Sequence, residues 1–236
     1  MAVPRPFVDQ GDDDLHFPPE CQLPPHFLHW RPPVKENYVI SPPGHRQYLG
    51  LKPSKLNLTG IDGNSAPGGQ TFVGRRQVHT LFTYSVVLDY TPKSIQEEAG
   101  ITLFLTQNHH VRLGLTLLPT SDAAPALTPH LRFTTEPYSS AAPPFSVPLP
   151  RELHNAELAM EIKAVNETHF SFAVGRAVSK NLAVLAHAPG EIVSWGFTGT
   201  LVGVYATSNG GNGTETAYVS KWIYKGEGQI RGNYTM

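Results

Sequence analysis

The residues able to do chemistry gather in a few short stretches. In Gln107-Asn108-His109-His110-Val111-Arg112, two histidines and an arginine fall within four positions. Successive strand side chains point to opposite faces, so His110 and Arg112, two apart, share a face of any strand that starts there. Side by side they can hold a hydroxylated or anionic ligand, and in an enzyme His110 can shuttle a proton next to Arg112. The alternative is a solvated hairpin end. Arg75-Arg76-Gln77 closes an apolar run. Its guanidinium forks suit a ligand's polar substituents, or a structural ion pair with Glu97 or Glu98. Trp222, Tyr224 and Tyr218 share one parity near the C-terminus, and Phe104 lies in the run before the two histidines. Flat rings stack on sugars or on apolar ligands, though a core stripe is the commoner meaning of such a pattern; Trp195 and Tyr205 are looser candidates of the same kind.

Other chemistries find no support. Glu97 and Glu98 are adjacent and diverge on a strand, so they cannot converge across one glycosidic bond, and both read as turn glutamates at the surface. His109 and His110 lack the further ligands of a metal site, so no metal and no cofactor is expected. Cys21 lies in FPPECQLPP, without a base or helix N-terminus to activate it. Nucleophile-elbow, phosphate-loop and dinucleotide motifs are missing.

The elements that must carry these side chains read as strands. Ile101, Leu103 and Leu105 alternate with Thr102, Phe104 and Thr106. Val111, Leu113, Leu115 and Leu117 alternate with Arg112, Gly114 and Thr116. A period of two gives each run one core face, with residues 107–110 as the hairpin tip. Further strands are expected at 34–40, 48–52, 71–77, 82–90, 130–134, 158–165, 169–174, 197–206 and 218–224, with weaker ones at 182–185 and 191–194. Residues 152–163 have some helix propensity, but the hairpins around them favour a strand in the second half. The expected fold is all-β, an antiparallel sandwich.

The chain has 236 residues, a formal net charge of −1, 16% charged residues, 21 glycines and 22 prolines. Few charges with much Gly and Pro suit short strands joined by turns, and the charge balance argues against nucleic-acid and membrane partners. Three segments are expected: a Pro-rich arm over 1–33 that packs partly on the body through Phe17, Phe27 and Trp30, a sandwich over 34–228, and a tail over 229–236. MAVPRPFVDQGDDD lacks the basic start and apolar run of a secretory signal, so a cytoplasmic location is expected. The acceptor triplets at Asn57, Asn166, Asn212 and Asn233 point instead to a secreted ancestry.

Several stretches carry a family resemblance: LKPSKLNLTGIDGNSAPGGQTFVGRRQ, LFTYSVVLDYTP, EEAGITLFLTQNHHVRLGL, PHLRF, EIKAVNETHFSFAVG and FTGTLVGVYATSNGGNGTETAYVSKWIYKGEGQ. Over roughly residues 45–229 the chain resembles the C-terminal concanavalin A-like sandwich of fungal glycoside hydrolase family 43 enzymes, of the β-xylosidase and α-arabinofuranosidase types. The resemblance implies a jelly roll that in whole enzymes follows a five-bladed propeller holding three catalytic carboxylates, and that in some members lends a loop to the propeller's pocket. No propeller precedes residue 45, so glycosidase activity is not expected of this chain alone.

The leading expectation is an accessory sandwich that binds a ligand, carbohydrate first, on its concave face through Arg75, Arg76, Gln77, Phe104, His110, Arg112, Trp222 and Tyr224. An alternative is a recruited enzyme whose pocket orients a small apolar metabolite for cyclisation, isomerisation or cycloaddition, with His110 and Arg112 as the catalytic pair. Another is a fragment of a two-domain xylosidase or arabinofuranosidase. Homo-oligomerisation is left open.

Overall fold

The computed structural model describes residues 11–60, 69–121, 124–179, 181–196 and 198–229. Its strands are β1 (Asp13–Leu15), β2 (Phe27–Leu28), β3 (Tyr38–Ile40), β4 (Leu49–Leu51), β5 (Thr71–Arg76), β6 (Leu81–Asp89), β7 (Glu98–Thr106) and β8 (His109–Ser121). They continue with β9 (Ala124–Glu136), β10 (Phe145–Pro148), β11 (Leu158–Ala164), β12 (His169–Arg176), β13 (Ala183–Pro189), β14 (Leu201–Thr207) and β15 (Ala217–Gly228). Short 3-10 turns occur at Lys35–Asn37, Arg151–Leu153 and Gly190–Val193, so the helical propensity of 152–163 yields one turn followed by strand β11.

Two antiparallel sheets form the sandwich. One has seven strands in the order β10-β9-β8-β7-β14-β5-β2. The other has eight, in the order β13-β12-β11-β6-β15-β4-β3, with β1 also paired to β15. The alternation that defines β7 and β8 is realised as expected. Ile101, Leu103, Leu105, Val111, Leu113 and Leu115 point between the sheets and are buried. Each such side chain contributes about 1.5–3 kcal/mol relative to exposure. From the other sheet they meet Phe82, Tyr84, Met160, Ile162 and Phe172.

Differences from the expected elements have local causes. The turn between β7 and β8 is only Gln107-Asn108, so both histidines belong to β8. Strands β8 and β9 run 13 residues each through a Pro/Ala/Ser-rich stretch; Pro129 faces Leu117 and Pro119 faces Leu127 in the ladder. The arm supplies two short strands, β1 pairing β15 and β2 pairing β5. As expected it packs down, with Phe17 and Phe27 buried and Trp30 half-buried.

Strand β15 corrects the parity reading. Its register shifts between Ser220 and Ile223, where Lys221 adopts φ +47°. An extra residue in a bulge reverses the faces that follow. Ala217 and Val219 therefore face the core before the bulge, and Trp222 and Tyr224 face it afterwards. Tyr218 does not share their face; it stacks on His45, centroids 3.5 Å apart.

Candidate functional site

Core-facing residues of the seven-stranded sheet leave the alternate set on its outer face. Ladder register arranges that set in rows across β8, β7, β14 and β5. One row is His110, Phe104, Leu201 and Arg76; the next is Arg112, Thr102, Gly203 and Gly74; a third is Gly114, Gly100, Tyr205 and Phe72. Glu98 continues β7 beyond Gly100, and Arg132 on β9 lies opposite Gly114.

The centre of this face is a buried charge cluster. Glu98 is wholly buried, at 0% exposure. Its carboxylate accepts a hydrogen bond from the Tyr205 hydroxyl at 2.5 Å and one from Arg132 Nε at 2.6 Å, with a second from Arg132 Nη2. Arg112 Nε stands 3.6 Å from it and donates to Thr134 Oγ1 at 2.7 Å. Burial pushes the Glu98 carboxyl up, but the Arg112 and Arg132 charges and the hydrogen bonds from Tyr205 and Arg132 outweigh burial and hold it below the usual range. The glycines make the cluster fit: a Cβ on Gly114 would stand 2.4 Å from the Tyr205 hydroxyl and 2.7 Å from Glu98 Cγ.

Beside the charges lies an aromatic wall. Phe104 is buried against Phe72 (4.8 Å between centroids), His110 (5.7 Å, stacked) and Trp30 (5.4 Å, edge-on). Leu58, Leu201 and Leu28 complete this apolar patch, separate from the main core. Trp30 Nε1 donates to Gln107 Oε1 at 3.4 Å.

Two polar atoms here lack partners among the described residues: His110 Nδ1 and Arg112 Nη1, both buried. His110 is 2% exposed. Burial first, and the Arg112 charge second, lower its pKa from 6.5 to about 3, against the opposing effect of hydrogen bonds to the Thr106 and Gln107 backbone. The ring is therefore neutral at ordinary pH. This neutral imidazole and the guanidinium N–H beside it can hold a hydroxyl or a water, or hold and pass a proton.

The eight expected ligand residues are scattered: three meet on the outer face, three lie between the sheets, and Arg76 and Gln77 sit at the end of β5. Phe104, His110 and Arg112 meet on the outer face. Trp222, Tyr224 and Arg75 do not join them, because they point between the sheets. There Arg75 pairs with Asp13 at 2.8 Å, donates to the Gly11 carbonyl at 3.2 Å, and lies 3.9 Å over the Tyr224 ring. Trp222 packs on Phe27 and Tyr84. Arg76 is exposed at the rim and donates to the Thr198 carbonyl. Gln77 sits in the turn after β5, its Nε2 donating to the His79 carbonyl at 3.0 Å.

Both glutamates overturn the surface reading, since each is fully buried. Glu97 accepts backbone hydrogen bonds from Lys93, Ser94 and Glu215 at 2.7–3.0 Å, clasping two loops. Burial raises its pKa, and those hydrogen bonds more than reverse the effect. Neither Arg75 nor Arg76 pairs with either carboxylate; Arg112 and Arg132 take Glu98. Sequence reasoning missed Arg132, Thr102 and the cover provided by Trp30 and Leu58. Opposing parities in the β8–β9 hairpin were the one available signal for Arg132, since Gly114 on the outer face lies opposite it. Among the described residues no three His, Cys, Asp or Glu side chains gather as a metal site, and no helix is long and apolar enough to cross a membrane.

Two antiparallel sheets with a polar, glycine-floored outer face define a concanavalin A-like sandwich. Residues 16–225 match the family model described as the beta xylosidase C-terminal concanavalin A-like domain, and the chain belongs to that family. The match takes in most of the arm. Similar solved structures include one titled Bacteroides ovatus Xyloglucan PUL GH43B, at 25% identity and a TM-score of 0.69, covering 94% of this chain and 40% of that one. Xylan beta-1,4-xylosidase from Bacillus halodurans C-125 is similar at 18% identity and TM-score 0.68, covering 95% and 41%. The VIP36 exoplasmic/lumenal domain in its Ca2+/Man-bound form shares the fold at 9% identity and TM-score 0.54, covering 96% and 93%. The chain thus spans about two fifths of the length of the enzymes it resembles. No curated protein sequence matched it.

Proposed function

We propose that this sandwich binds a carbohydrate on the outer face of its seven-stranded sheet and does not itself cleave glycosidic bonds. One observation carries the reading: a buried, unpartnered His110 Nδ1 next to a buried, unpartnered Arg112 Nη1, against the Trp30–Phe104–Phe72 wall. Buried polar atoms are nearly always paired, so two orphans on one face mark where a polar ligand or ordered water belongs. An apolar wall with a few convergent polar groups is the usual make-up of a small-molecule site. The described carboxylates also suit binding better than hydrolysis. Glu98 is locked by Arg112, Arg132 and Tyr205, and Glu97 is spent on backbone amides.

Membership of the family supports an equally compatible role as the sandwich part of a two-domain xylosidase or arabinofuranosidase, in which the same face would serve the larger enzyme. The recruited-enzyme reading keeps one supporting observation, the neutral buried His110, which can accept a proton within a largely apolar enclosure. Calorimetric titration of the chain with xylobiose and arabinobiose tests the proposal, alongside assays on aryl xylosides and arabinosides. Saturable binding that Arg112→Met abolishes, with no aryl glycoside cleaved, is the expected outcome. Cleavage by the chain alone contradicts it.

A further inference from the structure

One end of the sandwich is left open. β10 is the outermost strand of the seven-stranded sheet and β13 that of the eight-stranded sheet. Between them lies a cleft of about 570 Å3, a volume within the range of small-molecule sites. Its size follows from the sequence of β13. Ala186 and Ala188 are the core-facing residues of that strand, and Ala183 lines the cleft. Methyl groups cannot reach across the roughly 10 Å between packed sheets. Gly175 on β12 adds no side chain to the gap.

The walls are aliphatic. Leu131 and Val147 line the cleft from the seven-stranded sheet, Val174 and Leu185 from the other, and Leu153 from the 3-10 turn between β10 and β11. Leu131, Leu153 and Val174 are buried, Val147 and Leu185 half-buried. No aromatic ring lines this space among the described residues. A flat ring or a sugar therefore has nothing to stack on. A flexible hydrocarbon chain needs only close, non-directional contact, which such walls supply on both sides. Water held there meets few polar partners, so a chain that displaces it gains apolar burial.

Polar groups occur at the border only. Ser179 Oγ donates to the Asn181 carbonyl at 2.9 Å and accepts from the Asn181 backbone N–H at 3.2 Å, so these two are used on each other. Arg176 is exposed, and its Nε donates to the Glu152 carbonyl at 3.0 Å. That backbone contact anchors the guanidinium without neutralising it. Among the described residues Arg176 makes no ion pair, with the Glu152 carboxylate or any other. A guanidinium held in this way presents a charged fork that suits a carboxylate.

We propose that the cleft binds an aliphatic monocarboxylate, with the chain between β10 and β13 and the carboxylate on Arg176. The site shares no residue with the outer face of the seven-stranded sheet and stands independently of carbohydrate binding.

The test is calorimetric titration of the full chain with sodium octanoate, sodium decanoate and decyltrimethylammonium bromide, all below their micelle concentrations. Decanoate should bind saturably at one site, about tenfold more tightly than octanoate, because two more methylenes are buried. The cationic surfactant should bind at least tenfold more weakly than decanoate. Ala183→Trp, which fills the cleft from an exposed edge position, should abolish decanoate binding, and Arg176→Gln should weaken it about fivefold. Circular dichroism melting checks that each variant is folded; should Ala183→Trp fail to fold, Val147→Trp fills the cleft from the opposite sheet with the same expected loss. Absence of decanoate binding, or binding indifferent to the tryptophan, overturns the site. Equal or tighter binding of the cationic surfactant, through Glu152, or decanoate binding indifferent to Arg176→Gln, overturns the carboxylate assignment.

Discussion

Arg75 is buried and Arg112 mostly buried in the seven-stranded sheet, yet their surroundings differ in kind. Arg75 points into the sandwich, where the Asp13 carboxylate, the Gly11 and Arg76 carbonyls and the Tyr224 ring surround it. Every direction it faces is answered by this chain. It ties the arm to both sheets at once, since Asp13 belongs to β1 and Tyr224 to β15. Arg112 points outward, shares Glu98 with Arg132, and keeps one N–H unanswered. Polar atoms without a hydrogen-bond partner occur in both clusters: Asp13 Oδ2, the Tyr84 hydroxyl and Trp222 Nε1 near the first, His110 Nδ1 and Arg112 Nη1 in the second. The clusters differ in place, the first enclosed between the two sheets and the second on the outer face of one.

Breaking the inner cluster should have the largest effect. Arg75→Met leaves the buried Asp13 carboxylate only the His26 ring, 3.1 Å away, and should cost about 3–5 kcal/mol, read as a lower urea midpoint. Arg112→Met leaves Glu98 its Arg132 and Tyr205 partners, so it should lose far less stability while losing binding. Comparable losses from the two would erase the distinction between the clusters. Next in size is the floor: Gly203→Ala should cost about 1–3 kcal/mol, because the backbone of β5 must shift to admit a methyl group. An unchanged melting temperature would show that the strands are not so closely apposed.

An acid titration sharpens the contrast further. The native His110 ring stays neutral down to about pH 3, whereas in the unfolded chain it protonates below about 6.5. The unfolded state therefore binds more protons in that window, so stability is full above pH 6.5 and declines as pH falls toward 3, by at most about 1.4 kcal/mol per pH unit. Glu98, held below its ordinary 4.5, contributes fully above that value and loses its contribution as pH falls further. His110→Gln should flatten the stability profile between pH 6.5 and 4.5 and leave the lower limb in place. The smallest effect is expected at Trp195, which is 64% exposed and stacks on His109. Trp195→Ala should alter stability by less than about 0.5 kcal/mol in the same urea titration.

Much of the fold was legible because period-two alternation survives wherever one face is buried, as in β7, β8 and β11. The pairing of His110 with Arg112 followed from the same rule and holds. Parity failed at β15, where the bulge at Lys221 inserts one residue; nothing local in VSKWIY signals that insertion, and Trp222 and Tyr224 consequently face the interior. Glu98 was misjudged because its burial depends on Arg132 and Tyr205, which are brought to it by two different strands. Packing of the arm through Phe27 and Trp30 was legible, but its two short strands and the Asp13–Arg75 ion pair were not. Proline bars it from central ladders, yet Asp13, Phe27 and Trp30 each find partners far away in sequence. Charge pairing across strands is a tertiary fact, and composition does not record it.

The most direct measurement is the side-chain 15N spectrum of His110 during titration of the isotope-labelled chain with methyl β-xylopyranoside. A ligand hydroxyl hydrogen-bonded to His110 Nδ1 should shift that resonance saturably, with the other described histidines unmoved. An unshifted His110 Nδ1 while the glycoside visibly binds elsewhere would contradict the assignment of the site.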